Sequence, residues 1–393
     1  MSKKLLKRCG KLFLILFAIF FTLELLIRIA LSIRIGPDVL LYGTRFCKRQ
    51  VTPFERWDYN RTKRTVETHE NIVKKYSKYY PNQKRMDVNK KGEFFSVTIN
   101  SKGFRGKDYD LEKPDNILRI ACLGGSSTFG YTDKDDETYP NYLEKILKEE
   151  LHGLKSKKFN SVEVINLGIP HLDSEQIYSL FINEAISMKP DIVTFYEGVN
   201  DTVKPLSNKN RNVVLADYLE WMSSNFLIFR KSLGFNFMRY FIQRDVKYSK
   251  AYFIEYIKGR SAIFIKNLDL IKKECDGRGI KFYVITQQSK SFFVADMKGV
   301  SYEREAELLR DKINKEPVRP KELCFLASSV LMSDLRKWAE DNNVIVVDGI
   351  KALDDRRDCL TSWVHLTPEG NNILAAAIAK SILATYDLTG KTD

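Results

Sequence analysis

The chain has 393 residues and a formal net charge of +14, with 44% hydrophobic and 29% charged residues. This balance is typical of a globular protein and excludes a disordered or low-complexity chain. The basic residues form neither a clustered face nor a recognisable nucleic-acid-binding module, so the sequence predicts no nucleic-acid partner.

Residues 1–34 are predicted to be a cytoplasmic basic tail and a transmembrane signal anchor. Seven Lys or Arg residues stand against Glu24 alone in this segment, and the mostly apolar stretch Leu12–Ile33 is 22 residues long. A helix of that length can cross a bilayer, and Glu24 can pair with Arg28 one turn away. A cleaved signal peptide ending near Ser32 is the alternative. Both interpretations leave the N-terminus in the cytoplasm and export the remainder.

The rest of the chain divides into a stem, or N-terminal extension, over residues 35–115 and a domain over 116–390. In the domain, short apolar strands alternate with helices, which predicts a parallel, doubly wound α/β sheet covered on both faces. Insertions near 203–250 and 288–323 interrupt the pattern. The first is either a helical subdomain that packs on the sheet or a lid or membrane-facing surface over the site. The predicted strands are Glu93–Ile99 in the stem, then Ile117–Leu123, Val162–Asn166, Ile192–Tyr196, Lys281–Thr286 and Val344–Asp348; the predicted helices are Tyr139–Leu151, Asp173–Ile186, Ala251–Cys275, Leu326–Asp341 and Pro368–Tyr386.

Residues suited to acyl transfer follow the predicted strands. Ser126 comes after the first strand of the domain, Gly168 after the second, Asn200 after the third and His365 after the fifth. Ligands of open parallel sheets bind beyond the carboxyl ends of the strands, so these four residues are expected to meet in one crevice. Together they supply a nucleophile, a general base and donors for an oxyanion.

This set resembles the SGNH hydrolase family, also called GDSL esterases/lipases, over roughly residues 117–387. The segment Asn100–Gly106 is similar to membrane-anchored members. The resemblance implies a flavodoxin-like three-layer sandwich around a five-stranded parallel sheet, with Ser126 as nucleophile and His365 as base. It also implies an oxyanion hole made by the Ser126 amide, Gly168 and Asn200, and it implies no cofactor and no metal.

Three positions depart from the family pattern. Gly125 stands where the family name implies Asp, and His171 replaces the second glycine of its block. Ser362 stands three residues before His365, where the family has the Asp that orients the imidazole. A Ser126–His365 dyad is therefore predicted, with Ser362, Asp358 or a backbone carbonyl as the group that orients the ring.

Three functions fit this site. The first is a membrane-anchored, extracytoplasmic serine esterase that removes acyl groups, acetyl above all, from an envelope glycan or lipid. The second is an O-acyltransferase of cell-envelope polysaccharide that uses the same residues. The third is a catalytically degenerate envelope binding protein, suggested by Ser362. The expected partners are the acylated substrate and the membrane, and the sequence leaves protein partners open.

Overall fold

A computed structural model of the chain describes residues 3–35, 64–67, 74–88, 94–131, 133–154, 158–203, 247–291 and 299–388. The insertion predicted near 203–250 lies almost wholly outside these residues. The chain forms two compact units: Met1–Pro53 with Leu206–Lys247, and Phe54–Pro205 with Tyr248–Asp393. The second unit contains the predicted domain apart from residues 206–247, together with the later part of the predicted stem. The exact boundaries of the domains stay predictions.

The first unit contains helix α1, which spans Lys3–Ile35. Glu24 and Arg28 pair across one turn of this helix, as their spacing predicts, with 2.8 Å between the Arg28 Nε and the Glu24 Oε1. Within the part of the chain described in full, no helix has both the length and the apolar character of a membrane span.

The second unit is built on a five-stranded sheet whose strand order is β6-β5-β7-β8-β9. All four pairings between neighbours are parallel, which confirms the predicted parallel sheet. Counted along the chain, the strands lie in the order 2-1-3-4-5 of the flavodoxin-like topology. The strands are β5 (Ile117–Gly124), β6 (Ser161–Gly168), β7 (Ile192–Tyr196), β8 (Lys281–Ile285) and β9 (Ile345–Val347).

Helices cover both faces of this sheet. On one face Leu118 and Ile120 of β5 join a buried cluster with Leu143 and Ile378, which come from two helices that contact each other. On the other face the ring of Phe195 of β7 packs edge to face on the ring of Phe264, which lies in a helix. The helices are α2 (Ser126–Phe129), α3 (Tyr139–Leu154), α4 (Ser174–Leu180), α5 (Lys250–Asp276), α6 (Tyr302–Lys315), α7 (Pro320–Asp341), α8 (Gly349–Leu353) and α9 (Pro368–Thr385).

Two predicted helices have different bounds. The helix predicted over Asp173–Ile186 is α-helical only as far as Leu180, after which Phe181–Ala185 form a π-helical turn. Helix α7 begins six residues before the predicted Leu326, because Pro320 at its first position and Glu322 in its first turn start the helix inside the charged insertion.

Two antiparallel strand pairs precede the sheet: β1 (Arg64–Glu67) with β2 (Tyr76–Tyr79), and β3 (Gln83–Val88) with β4 (Phe94–Ile99). Strand β4 confirms the short strand predicted for the stem.

Arg105, which follows β4, connects the segment before the sheet to the loop behind Ser126. Its guanidinium is buried and donates to the carbonyls of Phe129 (2.7 Å) and Asp133 (2.5 Å) and to the carboxylate of Asp135 (3.0 Å). The segment that carries Ser126 is therefore held from both ends, by β5 and by Arg105.

Candidate active site

The site lies where the order of the sheet reverses, at the carboxyl ends of the neighbouring strands β5 and β7. Ser126 follows β5 and opens the short helix α2. A Cβ on Gly124 would lie 2.1 Å from the Thr128 Oγ1 and 2.6 Å from the Tyr196 carbonyl oxygen, so only glycine fits this turn. As the first residue of α2, Ser126 has a backbone amide with no acceptor inside its own helix.

His365 reaches Ser126 from a hairpin near the other end of the chain. Its Nε2 lies 2.8 Å from the Ser126 Oγ, although the two residues are 239 positions apart. The hairpin is closed by a bridge between Leu360 and Leu366 and by the Thr361 amide, which donates to the His365 carbonyl at 2.7 Å. The contact has the geometry that a nucleophile and its general base require.

Ser362 faces the other nitrogen of the ring. Its Oγ lies 2.9 Å from the His365 Nδ1 and also accepts from the backbone amides of Val364 (3.3 Å) and His365 (3.1 Å). A carboxylate in this place would only accept, which fixes the proton on Nδ1. A hydroxyl can donate or accept, so Ser362 orients the ring without fixing the tautomer.

Asp358, the other candidate to orient the ring, lies at the surface. Its two carboxylate oxygens bind Arg356 at 3.2 and 3.3 Å, and its side chain is 65% exposed. Arg356 lowers the pKa of Asp358 through these bonds. The structure therefore places Ser362, and not Asp358, beside the imidazole.

The imidazole of His365 is held neutral by its surroundings. Burial, and after it the charge of His171, lower its pKa to about 4. Tyr131 stacks on the ring with 5.4 Å between the centroids. Without a carboxylate partner, nothing offsets the cost of charging the ring in this environment.

Asn200 lies beside the turn that carries Ser126. A Cβ built on Gly125 would be 2.5 Å from the Asn200 Nδ2. This Nδ2 already donates to the Leu172 carbonyl at 2.8 Å and to a Glu197 carboxylate oxygen at 3.0 Å. An oxyanion bound here would share or replace one of these acceptors.

Gly168 packs against α2, where a Cβ would lie 2.2 Å from the Phe129 amide nitrogen. Its own amide donates to the Asn166 Oδ1 at 3.0 Å. An amide engaged in this way has to leave its acceptor before it can bind an oxyanion, so the role expected of Gly168 stays a prediction.

Two buried polar residues join the loops of the site, and the sequence analysis assigned neither. The Gln287 side chain accepts from the Val199 amide at 3.0 Å and donates to the Ser127 Oγ at 3.3 Å, and Ser127 donates to the Val364 carbonyl at 3.3 Å. Glu197 lies under Asn200, where burial raises its pKa to about 8 against the lowering effect of its amide donors. The signal for Glu197 was its place directly after a buried strand.

Metal ligation has no support in the part of the chain that the structure describes, where no group of His, Cys, Asp or Glu side chains is arranged to hold an ion.

Comparison with known proteins identifies the domain. Residues 122–230 match the model of the GDSL-like lipase/acylhydrolase family. The match covers 109 of the 393 residues, and over this segment the chain is similar to the family. The match supports an ester-hydrolysing enzyme. No curated protein matches the chain.

Solved structures of two hydrolases are similar to the chain at low identity. The lipase/acylhydrolase from Enterococcus faecalis is 18% identical, with 70% of this chain and 99% of that chain covered and a TM-score of 0.38. The acetylxylan esterase Axe2 from Geobacillus stearothermophilus is 14% identical, with 70% and 97% covered and a TM-score of 0.39. These scores are low, so the family assignment rests on the sequence match.

Replacing Ser362 by Asp in this GDSL-like enzyme should raise the pKa of His365 well above its present value of about 4, because a carboxylate beside Nδ1 stabilises the charged ring. Only the neutral ring accepts a proton, so hydrolysis is lost as pH falls through this pKa. We expect the acid limb of the rate–pH profile for an activated acetyl ester to move from near pH 4 to higher pH. The rate at neutral pH should rise about tenfold or more.

Ser362→Asn is the matched control, since it is close to Asp in shape and carries no charge. Its acid limb should stay where the wild-type limb lies. An unmoved limb in Ser362→Asp would contradict the role of residue 362 as the partner of the ring.

Proposed function

We propose that the chain is an extracytoplasmic serine esterase that removes acyl groups, acetyl above all, from an envelope glycan or lipid through an acyl-enzyme. The observation that carries the proposal is the 2.8 Å contact between the Ser126 Oγ and the His365 Nε2. The family match supports ester hydrolysis and favours an enzyme over a binding protein.

In the first half of the proposed reaction the Ser126 Oγ attacks the ester carbonyl carbon while its proton passes to the His365 Nε2. The carbonyl oxygen becomes an oxyanion, which the Ser126 amide and the Asn200 side chain can stabilise. The tetrahedral intermediate then collapses, the bond to the alcohol breaks, and the alcohol leaves with the proton from His365. The acyl group remains on Ser126.

The second half repeats these steps with water. His365 takes a proton from the water, whose oxygen attacks the acyl carbon, and then returns the proton to Ser126 as the acid departs.

The lowered pKa of His365 has opposite effects on the two proton transfers of the first half-reaction. It makes the ring a weaker base toward Ser126, and it makes the imidazolium a stronger acid toward the leaving alcohol.

Substitution of Ser126 by Ala should reduce hydrolysis of an activated acetyl ester by about 10⁴-fold or more, since no other group can form the acyl-enzyme. The same variant should no longer react with a fluorophosphonate. Ser127→Ala is the matched control: its hydroxyl faces the Val364 carbonyl and Gln287, so the variant should still be labelled.

Addition of free sugars to the same assay separates the candidate functions. Acylated sugar formed in place of free acid would support an O-acyltransferase. No turnover and no labelling of the wild-type protein would support a binding protein and contradict the esterase.

We also propose that residues 1–34 hold the enzyme in the cell membrane as a single-pass anchor, with the N-terminus in the cytoplasm. The support is the sequence, in which a basic segment precedes the apolar stretch Leu12–Ile33. The paired charges of Glu24 and Arg28 lower the cost of placing both groups near lipid.

The full chain should therefore stay in the membrane pellet through an alkaline carbonate wash, whereas a variant that lacks residues 1–34 should appear in the supernatant. Release of both forms by the wash would contradict the anchor.

A further inference from the structure

Glu197 is a carboxylate buried directly beneath the candidate oxyanion hole. It follows the last residue of β7, and 1% of its surface is exposed. Within the described residues no Lys, Arg or His forms an ion pair with it; the ion pairs in that part of the chain involve other carboxylates. A buried carboxyl group without a cation, whose pKa burial raises to about 8, depends on hydrogen-bond partners for its stability.

Three donors, all from the loop that follows β7, meet this carboxylate. Its Oε1 accepts from the amides of Gly198 and Asn200, each at 2.9 Å. Its Oε2 accepts from the Asn200 Nδ2 at 3.0 Å. One side chain therefore holds both the backbone and the side-chain amide of Asn200.

The same oxygen lies against the residue that precedes Ser126. A Cβ on Gly125 would be 2.2 Å from the Glu197 Oε2, a separation that no real pair of atoms adopts. A side chain at position 125 would therefore require the ends of the Glu197 and Asn200 side chains to move away. The family name implies Asp at this position. The Glu197 side chain, which directly follows the neighbouring strand β7, fills the space that such an aspartate side chain would need.

The orientation of the Asn200 amide is set by this arrangement. The Leu172 carbonyl accepts one hydrogen of Nδ2 at 2.8 Å, and Glu197 accepts the other. Two acceptors on either side of Nδ2 exclude the flipped amide, in which Oδ1 would face them. If Glu197 were absent, only Leu172 would hold the amide.

We propose that Glu197 is the positioning residue of the oxyanion hole: it holds the Asn200 amide and the Gly125–Ser126 turn together, in the place that an aspartate at position 125 would occupy. This inference rests on the proposed esterase function. Glu197 acts through Asn200, whose Nδ2 hydrogen the oxyanion shares with or takes over from its present acceptor, and it does not itself touch the reacting atoms.

Substitution of Glu197 by Gln tests the proposal. If the oxygen of the introduced glutamine takes over the two backbone amides, its NH₂ group faces the Asn200 Nδ2, and two donors then oppose each other. We expect kcat for the activated acetyl ester to fall about tenfold to a hundredfold while KM changes little. The reason is that the hydrogen bond from the Asn200 side-chain amide stabilises mainly the transition state. Asn200→Ala alone should reduce kcat about 10²–10³-fold.

The double variant, Glu197→Gln with Asn200→Ala, should be no slower than Asn200→Ala, because the oxygen of the introduced glutamine still accepts from the two backbone amides and the opposing Asn200 Nδ2 is gone. A purely structural role would make the two losses multiply. Multiplied losses, or a Glu197→Gln kcat within twofold of wild type, would overturn the proposal.

A carboxylate exchange keeps the proposal testable even where Glu197→Gln does not fold. Gly125→Asp alone should be impaired, since the introduced aspartate collides with Glu197, and Glu197→Gly alone should lose its hold on Asn200. The combined variant should be faster than either single variant. A Gly125→Asp variant as active as wild type, or a combined variant slower than both single variants, would overturn the proposal.

The failure of the proposed function gives a different result. Wild-type turnover that Ser126→Ala does not reduce would overturn the esterase function, and this inference with it. Turnover that depends on Ser126 and is unchanged in Glu197→Gln overturns only the role of Glu197.

Discussion

The contact between Ser126 and His365 depends on the parallel sheet that brings their loops together. Because parallel strands end at the same edge, a serine after β5 and a histidine 239 positions later can lie 2.8 Å apart. Local features refine the contact. The glycine turn at 124 exposes Ser126, Arg105 holds the segment behind it, and the hairpin closed by Leu360 and Leu366 presents the imidazole.

The chemistry of the site differs from the pattern of its family at positions 362 and 125. At Nδ1 a hydroxyl replaces a carboxylate, so the ring is held in place without support for its charge. Near Ser126 a glycine replaces an aspartate, and the buried Glu197 fills the space that this change leaves. The site thus keeps its geometry, and burial, followed by the charge of His171, lowers the pKa of His365 to about 4.

The sheet was predictable because its buried strands are short apolar runs. Once these strands were predicted, the positions of the loops after β5 and β9 were predictable as well. Other features depend on contacts that no local pattern encodes. Ser362 and Asp358 are equally plausible in sequence, and only the hairpin decides that Ser362 faces the ring. The Gly168 amide is engaged by Asn166 across a single intervening residue. Glu197 directly follows a buried strand, but its position against Gly125 becomes evident only when β5 and β7 are neighbours.

The central claim, that Ser126 forms an acyl-enzyme with His365 as its base, is tested most directly by trapping that intermediate. The enzyme is mixed with an activated acetyl ester, quenched in acid within one turnover, and digested for mass spectrometry. The account predicts one acetyl group, located on the peptide that contains Ser126 and assigned to that residue by fragmentation. Acetyl on another side chain, or continued hydrolysis with Ser126 never acylated, would contradict it.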